Sequence, residues 1–132
     1  MRIPFCDVDM HGHVHNGMYF SYVETAINEY LRESGLSPLF EPGSGDHVYH
    51  VRKVEVIYNR PVGFDDLVEV TANVARIGTT SLTWAGRIDR DGEREPSVTA
   101  EVVWVCVDPG TGSTTPVPDR TRAALAAAAA PA

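Results

Sequence analysis

The sequence predicts an α+β domain in which one amphipathic helix packs against an antiparallel sheet of about five strands. Three observations carry that expectation. Apolar residues recur at spacings of three and four between positions 18 and 34, the pattern changes to alternation in four later runs, and turn-forming residues separate those runs.

The first element is a short apolar lead ending at Phe5, which suits an opening strand over residues 2 to 6. Asp7 to Gly17 sets Gly12 and Gly17 among short polar side chains and reads as a loop. Asn16 stands where its side chain would cap a helix by accepting from an amide of the first turn. From Met18 to about Ser34, the residues Tyr19, Phe20, Val23, Ala26, Ile27, Tyr30 and Leu31 share one face at about 100° per residue. Ser21, Thr25, Asn28, Glu29 and Arg32 fill the opposite face, and Gly35 occupies the place of a left-handed C-terminal cap. SPLFEPGSGD at 37–46, rich in proline, glycine and serine, reads as a loop or flap.

Beyond the flap the period is two. Val54, Val56 and Tyr58 alternate with Lys53, Glu55 and Asn59; Val68, Val70, Ala72 and Val74 with Glu69, Thr71 and Asn73; Leu82, Trp84 and Ile88 with Thr83 and Arg87. The run VTAEVVWVCV at 98–107 alternates and then turns apolar on both faces, as a strand inside a covered sheet does. Pro61 to Asp66, Ile77 to Thr80 and Asp91-Gly92 read as turns, the last a two-residue hairpin signal, so the strands form an antiparallel meander. These elements make one domain over residues 1–117. From Pro118 the Ala-rich tail to residue 132 predicts a short terminal helix that frays, with no catalytic part. One helix covers one face of such a sheet, so self-association is expected to cover the other.

With 132 residues, 43% of them apolar and 22% charged, the chain suffices for one hydrophobic core. Its formal charge of -7 argues against gripping a nucleic-acid backbone or an anionic membrane, and any anionic ligand must be held by local basic groups and backbone amides. Only Cys6 and Cys106 are present, no cationic and apolar signal region opens the chain, and no apolar run reaches the roughly 20 residues that span a bilayer. A reducing cytoplasm is the expected setting.

The stretch DVDMHGHVHNGMYF at 7–20 concentrates the reactive groups. His11, His13 and His15 would point to one side of an extended segment, as zinc ligands do. The only further histidines are His47 and His50, so a metal is not expected. Cys6 lies beside Asp7, whose charge opposes thiolate formation, and both cysteines read as small buried hydrophobes. A carboxylate just ahead of a helix N-terminus offers the third chemistry. It can attack a carbonyl or act as general base while unpaired amides of the first turn face the developing oxyanion. Asp7 and Asp9 as plain turn-capping residues are the competing reading.

Residues 7–24, D-V-D-M-H-G-H-V-H-N-G-M-Y-F-S-Y-V-E, resemble the D-x-D-x-x-G-H-V-N-N-x-x-Y-x-x-Y-x-E signature of hotdog-fold acyl-CoA thioesterases of the 4-hydroxybenzoyl-CoA thioesterase type. N-R-P-V at 59–62 followed by D-D-L-V-E-V, R-I-G-T-T-S-L at 76–82, A-E-V-V-W-V-C-V-D at 100–108 and P-V-P-D at 116–119 extend the resemblance over nearly the whole chain. It implies a sheet wrapped around one long helix, subunits joined edge to edge into dimers and often tetramers, and active sites between subunits near the helix start. On this resemblance Asp9 attacks the thioester carbonyl or activates water, and the backbone amide of Asn16 polarises the carbonyl oxygen. His15 departs from the asparagine usual there. The resemblance further implies substrate-side places for His13, which shapes the loop, Tyr19 on the pocket wall and Glu24 near the subunit interface. Gly78, Thr79, Thr80 and Ser81 fall where relatives contact the pantetheine or nucleotide of coenzyme A, and Arg60 and Arg76 are candidate sources of local positive charge.

The expected activity is hydrolysis of an acyl-CoA to a carboxylic acid and free coenzyme A, without a cofactor other than the coenzyme A of the substrate. An acyl group on a carrier protein shares the pantetheine arm and is an alternative substrate. A non-catalytic acyl-thioester binder on the same scaffold is the alternative from another class. A dehydratase of this fold is disfavoured because the D-x-D-x-x-G-H-V loop is not its signature.

Overall fold

A computed structural model describes residues 1–41 and 47–129, so the part of the expected flap at 42–46 lies outside the described residues. Helix α1 spans Asn16–Glu33, strands β1 to β4 span Val48–Tyr58, Val68–Ile77, Ser81–Arg90 and Val98–Val107, and helix α2 spans Asp119–Ala129. Short 3-10 turns cover Phe5–Asp7 and Ser37–Leu39.

Helix α1 begins two residues before the apolar period because His15, not Asn16, is its cap. The His15 Nδ1 accepts from the Gly17 amide at 3.2 Å, so Asn16 is already the first helical residue. At the other end Gly35 takes a φ of 73°. The Leu36 amide reaches the Leu31 carbonyl at 2.8 Å and the Gly35 amide reaches Arg32 at 3.2 Å, a Schellman closure with Leu31 and Leu36 both buried. The inward residues Tyr19, Tyr22, Val23, Ala26, Ile27 and Leu31 are all buried.

The sheet order is β1-β4-β3-β2, antiparallel throughout. The meander expected from turn signals is therefore correct for β2, β3 and β4 but not for β1. The segment 59–67 is a crossover that carries the chain from one sheet edge to the other, beneath the start of α1. Backbone bonds hold it there, the Val14 amide to the Val62 carbonyl at 2.7 Å and the Phe64 amide to the Gly12 carbonyl at 3.1 Å. Asp91-Gly92 does not close a two-residue hairpin. It opens a longer connection, closed where the Ser97 amide bonds the Ile88 carbonyl at 2.9 Å.

The fifth strand expected at residues 2 to 6 is absent among the described residues. Met1 and Ile3 exchange backbone bonds with Val68, Asp66 and Asp65 around a single Arg2–Leu67 bridge. Pro4 then removes a donor and the chain turns into the 3-10 segment Phe5–Asp7. As expected, the second half of β4 is its most buried part, with Val105, Cys106 and Val107 all covered.

Helix α1 lies chiefly over β2 and β3. Val23 and Ile27 pack in one cluster with Leu82, Trp84, Ile88 and Val102, all fully buried. Burying side chains of this kind contributes roughly 1.5–3 kcal/mol each. The close approach depends on Gly86 of β3, where a Cβ atom would stand 2.6 Å from Val23 Cγ1. Strand β1 is an edge strand. Val51, Val54, Ile57 and Tyr58 are exposed there; Val54, Val56 and Tyr58 still share the inward face their alternation suggested, opposite the buried Val102, Ala100 and Val98, and the edge position is what opens Val54 and Tyr58 to solvent. Helix α2 inserts Leu125 fully into the core, and its Arg122 guanidinium donates to the Gly78 carbonyl at 2.8 Å. Among the described residues no helix is long and apolar enough to cross a membrane.

Candidate active site

The Asp9 loop is a small closed turn. Val8 bridges Val14, the Asp9 amide donates to the His13 carbonyl at 2.8 Å, and the Gly12 amide donates to the Asp9 carbonyl at 3.0 Å. Gly12 supplies the φ of 78° that closes it. The Asp9 Oδ1 accepts from the His11 amide at 2.9 Å, the Asx geometry that short polar residues bring to turns. Because the segment folds back at His11, it is not the extended strand on which three histidines would align. Among the described residues no three His, Cys, Asp or Glu side chains are grouped to hold a metal ion.

A second tie fixes the loop to the helix. The Tyr22 hydroxyl donates to Asp7 Oδ2 at 2.7 Å, and the His15 amide donates to the Asp7 carbonyl at 2.9 Å. Burial first, and the Asp7 carboxylate next, push the Tyr22 phenol up from its ordinary value. Cys6 donates to Asp7 Oδ1 at 3.4 Å, and that carboxylate raises the thiol pKa, which works against thiolate formation. Cys106 is buried as expected, whereas Cys6 is exposed because the lead into the loop is a surface 3-10 turn rather than a strand.

Asp9 and Asn16 line one cavity of about 260 Å³ together with His13, Tyr19 and Arg60. The cavity also draws in Tyr58, Asn59 and Pro61, which the sequence reading did not single out as site residues although N-R-P-V at 59–62 was in view. The His11 amide, ahead of any other influence, holds the Asp9 carboxyl below the usual aspartate range, so it is a charged carboxylate at neutral pH. The His13 amide adds to the same lowering. The Asn16 amide belongs to the first helical turn, whose N–H groups have no partner within the helix, and His15 satisfies Gly17 rather than Asn16. Tyr19 is buried, its hydroxyl accepting from the Val62 amide at 3.3 Å and its ring edge-on to Tyr58 at 5.2 Å. Burial raises the Tyr19 pKa.

Arg60 reaches the cavity but is paired, donating to Glu93 Oε2 at 2.7 Å. Glu24 is exposed along α1 and does not line the cavity. Arg76 is exposed near the far end of β2. Gly78, Thr79, Thr80 and Ser81 form the β2–β3 turn, closed by the Gly78 amide on the Ser81 carbonyl at 2.7 Å. That turn lies at the opposite end of β2 from the crossover that walls the cavity, a strand length of about 30 Å. Within one chain these residues and Asp9 cannot touch one small reacting group.

A larger open groove of about 1310 Å³ runs between the outer flank of α1 and the free edge of β2. It contains Asp7 and Tyr22, already bonded to each other, and not Asp9. The smaller cavity is the one that brings a carboxylate, Asp9, together with the first residue of α1.

A single long helix laid on an antiparallel sheet is the hotdog architecture. The chain belongs to the thioesterase superfamily, and so to the thioester hydrolases: that family's sequence pattern matches residues 11–97. The chain is 33% identical over 110 residues to the acyl-CoA thioester hydrolase YbgC of Escherichia coli, covering 83% of this chain and 80% of that protein. Among solved structures, the PA5185 protein of Pseudomonas aeruginosa superposes with a TM-score of 0.81 at 29% identity, over 100% of this chain and 90% of that one. A thioesterase of Thermus thermophilus complexed with coenzyme A and Zn superposes with a TM-score of 0.79 at 26% identity, over 97% and 90% of the two chains.

Proposed function

We propose that the protein is an acyl-CoA thioesterase that uses Asp9 and the Asn16 amide. The observation that carries this reading is their presence on one cavity, a charged carboxylate and a helix-start N–H without a partner inside the helix. The Asn16 amide donates to the thioester oxygen and more strongly to the oxyanion that forms from it. In the covalent route an Asp9 oxygen adds to the carbonyl carbon and coenzyme A leaves as a thiolate that takes a proton. Water then splits the mixed anhydride, freeing the carboxylic acid and restoring Asp9. In the general-base route Asp9 takes a proton from water as the hydroxide adds. The lowered pKa keeps Asp9 ionised at neutral pH, the form that both routes require.

Supporting self-association, β1 presents an apolar free edge, and the remote Gly78–Ser81 turn can serve a thioester at Asp9 only if a second copy brings it there. A dimer joined along β1, and a tetramer built from two such dimers, fit the resemblance.

The test is turnover of aromatic, short and long acyl-CoA esters beside Asp9→Asn. We expect the variant to keep its melting temperature and to lose about 10²–10⁴-fold in kcat/KM. Full activity in Asp9→Asn sinks the assignment of Asp9. Binding without turnover by the unmutated protein would move the reading to an acyl-thioester binder, and turnover of acyl-carrier protein alone would move it to the carrier-borne substrate.

A further inference from the structure

Resting on the thioesterase reading, we propose that Tyr58 is a positioning residue for the oxyanion donor, its hydroxyl holding the first residue of α1 so that the Asn16 amide keeps its place on the cavity.

An oxyanion donor works only if it is held close to its productive direction, within about 10–20°, before the substrate arrives. Helix ends fray, and the first residue of α1 is the one the reaction uses. The structure holds it from two sides. On the N-terminal side, the Val14 amide bonds the Val62 carbonyl at 2.7 Å and His13 bridges Gly63, which fixes the approach to the helix. On the C-terminal side, the Tyr58 hydroxyl donates to the Asn16 carbonyl at 3.2 Å, a tie from the last residue of β1 to the first of α1. Among the described residues it is the one side-chain hydrogen bond from a strand to the first turn of α1.

Tyr58 is itself held. Its backbone pairs with Val98 of β4, and its ring meets Tyr19 edge-on at 5.2 Å with an interplanar angle of 71°. The Tyr19 hydroxyl in turn accepts from the Val62 amide, so the run from Tyr58 to Val62 grips the helix start at three points. Packing does not account for the phenol. Tyr58 is 49% exposed, and phenylalanine would make the same ring contact with Tyr19. The hydroxyl is the part that reaches Asn16.

The experiment compares Tyr58→Phe and Tyr58→Ala with the full unmutated chain in kcat, KM, melting temperature and the amide resonance of Asn16. Tyr58→Phe is expected to lower kcat about fivefold, the usual yield of one neutral hydrogen bond, with KM within about twofold and melting unchanged. Its Asn16 amide resonance should move and its amide exchange faster. Tyr58→Ala, which also removes the cavity wall, should add a rise in KM. A Tyr58→Phe enzyme with the parent kcat, or with lower melting and unaltered kcat, overturns the proposal and leaves a purely structural bond. If the unmutated chain turns over no acyl-CoA, the thioesterase reading fails by itself. The Asn16 amide then decides alone: unmoved in Tyr58→Phe, it refutes the positioning role.

Discussion

Replacing Gly86 with alanine tests the seating of helix α1. The added Cβ would lie 2.6 Å from Val23 Cγ1 and 3.0 Å from Cγ2, where ordinary contacts begin at 3.4 Å, so about 0.8 Å must be found. Rotating Val23 offers no escape. Both methyls face the new atom, and a helical valine is held to one rotamer in about 90% of cases. The helix has to move instead. Overpacking of this kind costs about 1–3 kcal/mol, and losing glycine's unfolded-state entropy returns about 0.5–1 kcal/mol; with a shift of this size at the upper half of the overpacking range, about 2–3 kcal/mol, the net loss is about 1–2 kcal/mol. For a chain of this size that is a drop of about 4–8 °C in melting temperature, read by thermal unfolding at one fixed protein concentration. In a Val23→Ala background the clash is gone, so Gly86→Ala should become neutral or slightly stabilising there. The coupling energy should be at least about 1 kcal/mol. A Gly86→Ala protein that melts at or above the parent, or that loses the same amount in both backgrounds, refutes the packing argument.

Two further outcomes concern the loop and its tyrosines. His15→Ala should cost about 1 kcal/mol by removing the acceptor for the Gly17 amide, while His15→Asn restores a good cap and should melt close to the parent; equal losses in both would show that capping is not what His15 does. Tyr22 and Tyr49 have phenols raised above their ordinary value, chiefly by burial, so the folded state favours their protonated forms. The stability they contribute is present below about pH 10 and is lost as pH rises beyond it. Urea midpoints should fall above that pH, and the fall should flatten when both are changed to phenylalanine; an unchanged slope assigns alkaline unfolding to other groups.

What the sequence disclosed follows the range of the interactions. The period of α1, its Gly35 stop and the buried half of β4 are local patterns, and they appear where the residues placed them. Asp9, His13, Asn16 and Tyr19 lie within one loop and one helical turn, so their meeting on one cavity was close to visible in the chain. Tyr58 was hidden by its own alternation, which matched a core position, whereas the sheet order makes β1 an edge. His15 was passed over because histidine is not among the preferred caps. The remoteness of Gly78–Ser81 from Asp9 depends on which end of β2 the crossover reaches, and no local signal carries that.

The sheet order also sets a schedule for synthesis. Among the described residues the sole strand partner of β1 is β4, so Tyr58 must wait for Val98 and Val48 for Val107, with β2 and β3 made in between. As the chain emerges, α1 and the β2–β3 hairpin can assemble while β1 has nothing to pair with and its apolar Val51, Val54 and Ile57 stand open to other chains. Arg52, Lys53 and Glu55, set between those apolar residues, put charge on the waiting strand and guard it against the wrong neighbour until β4 arrives.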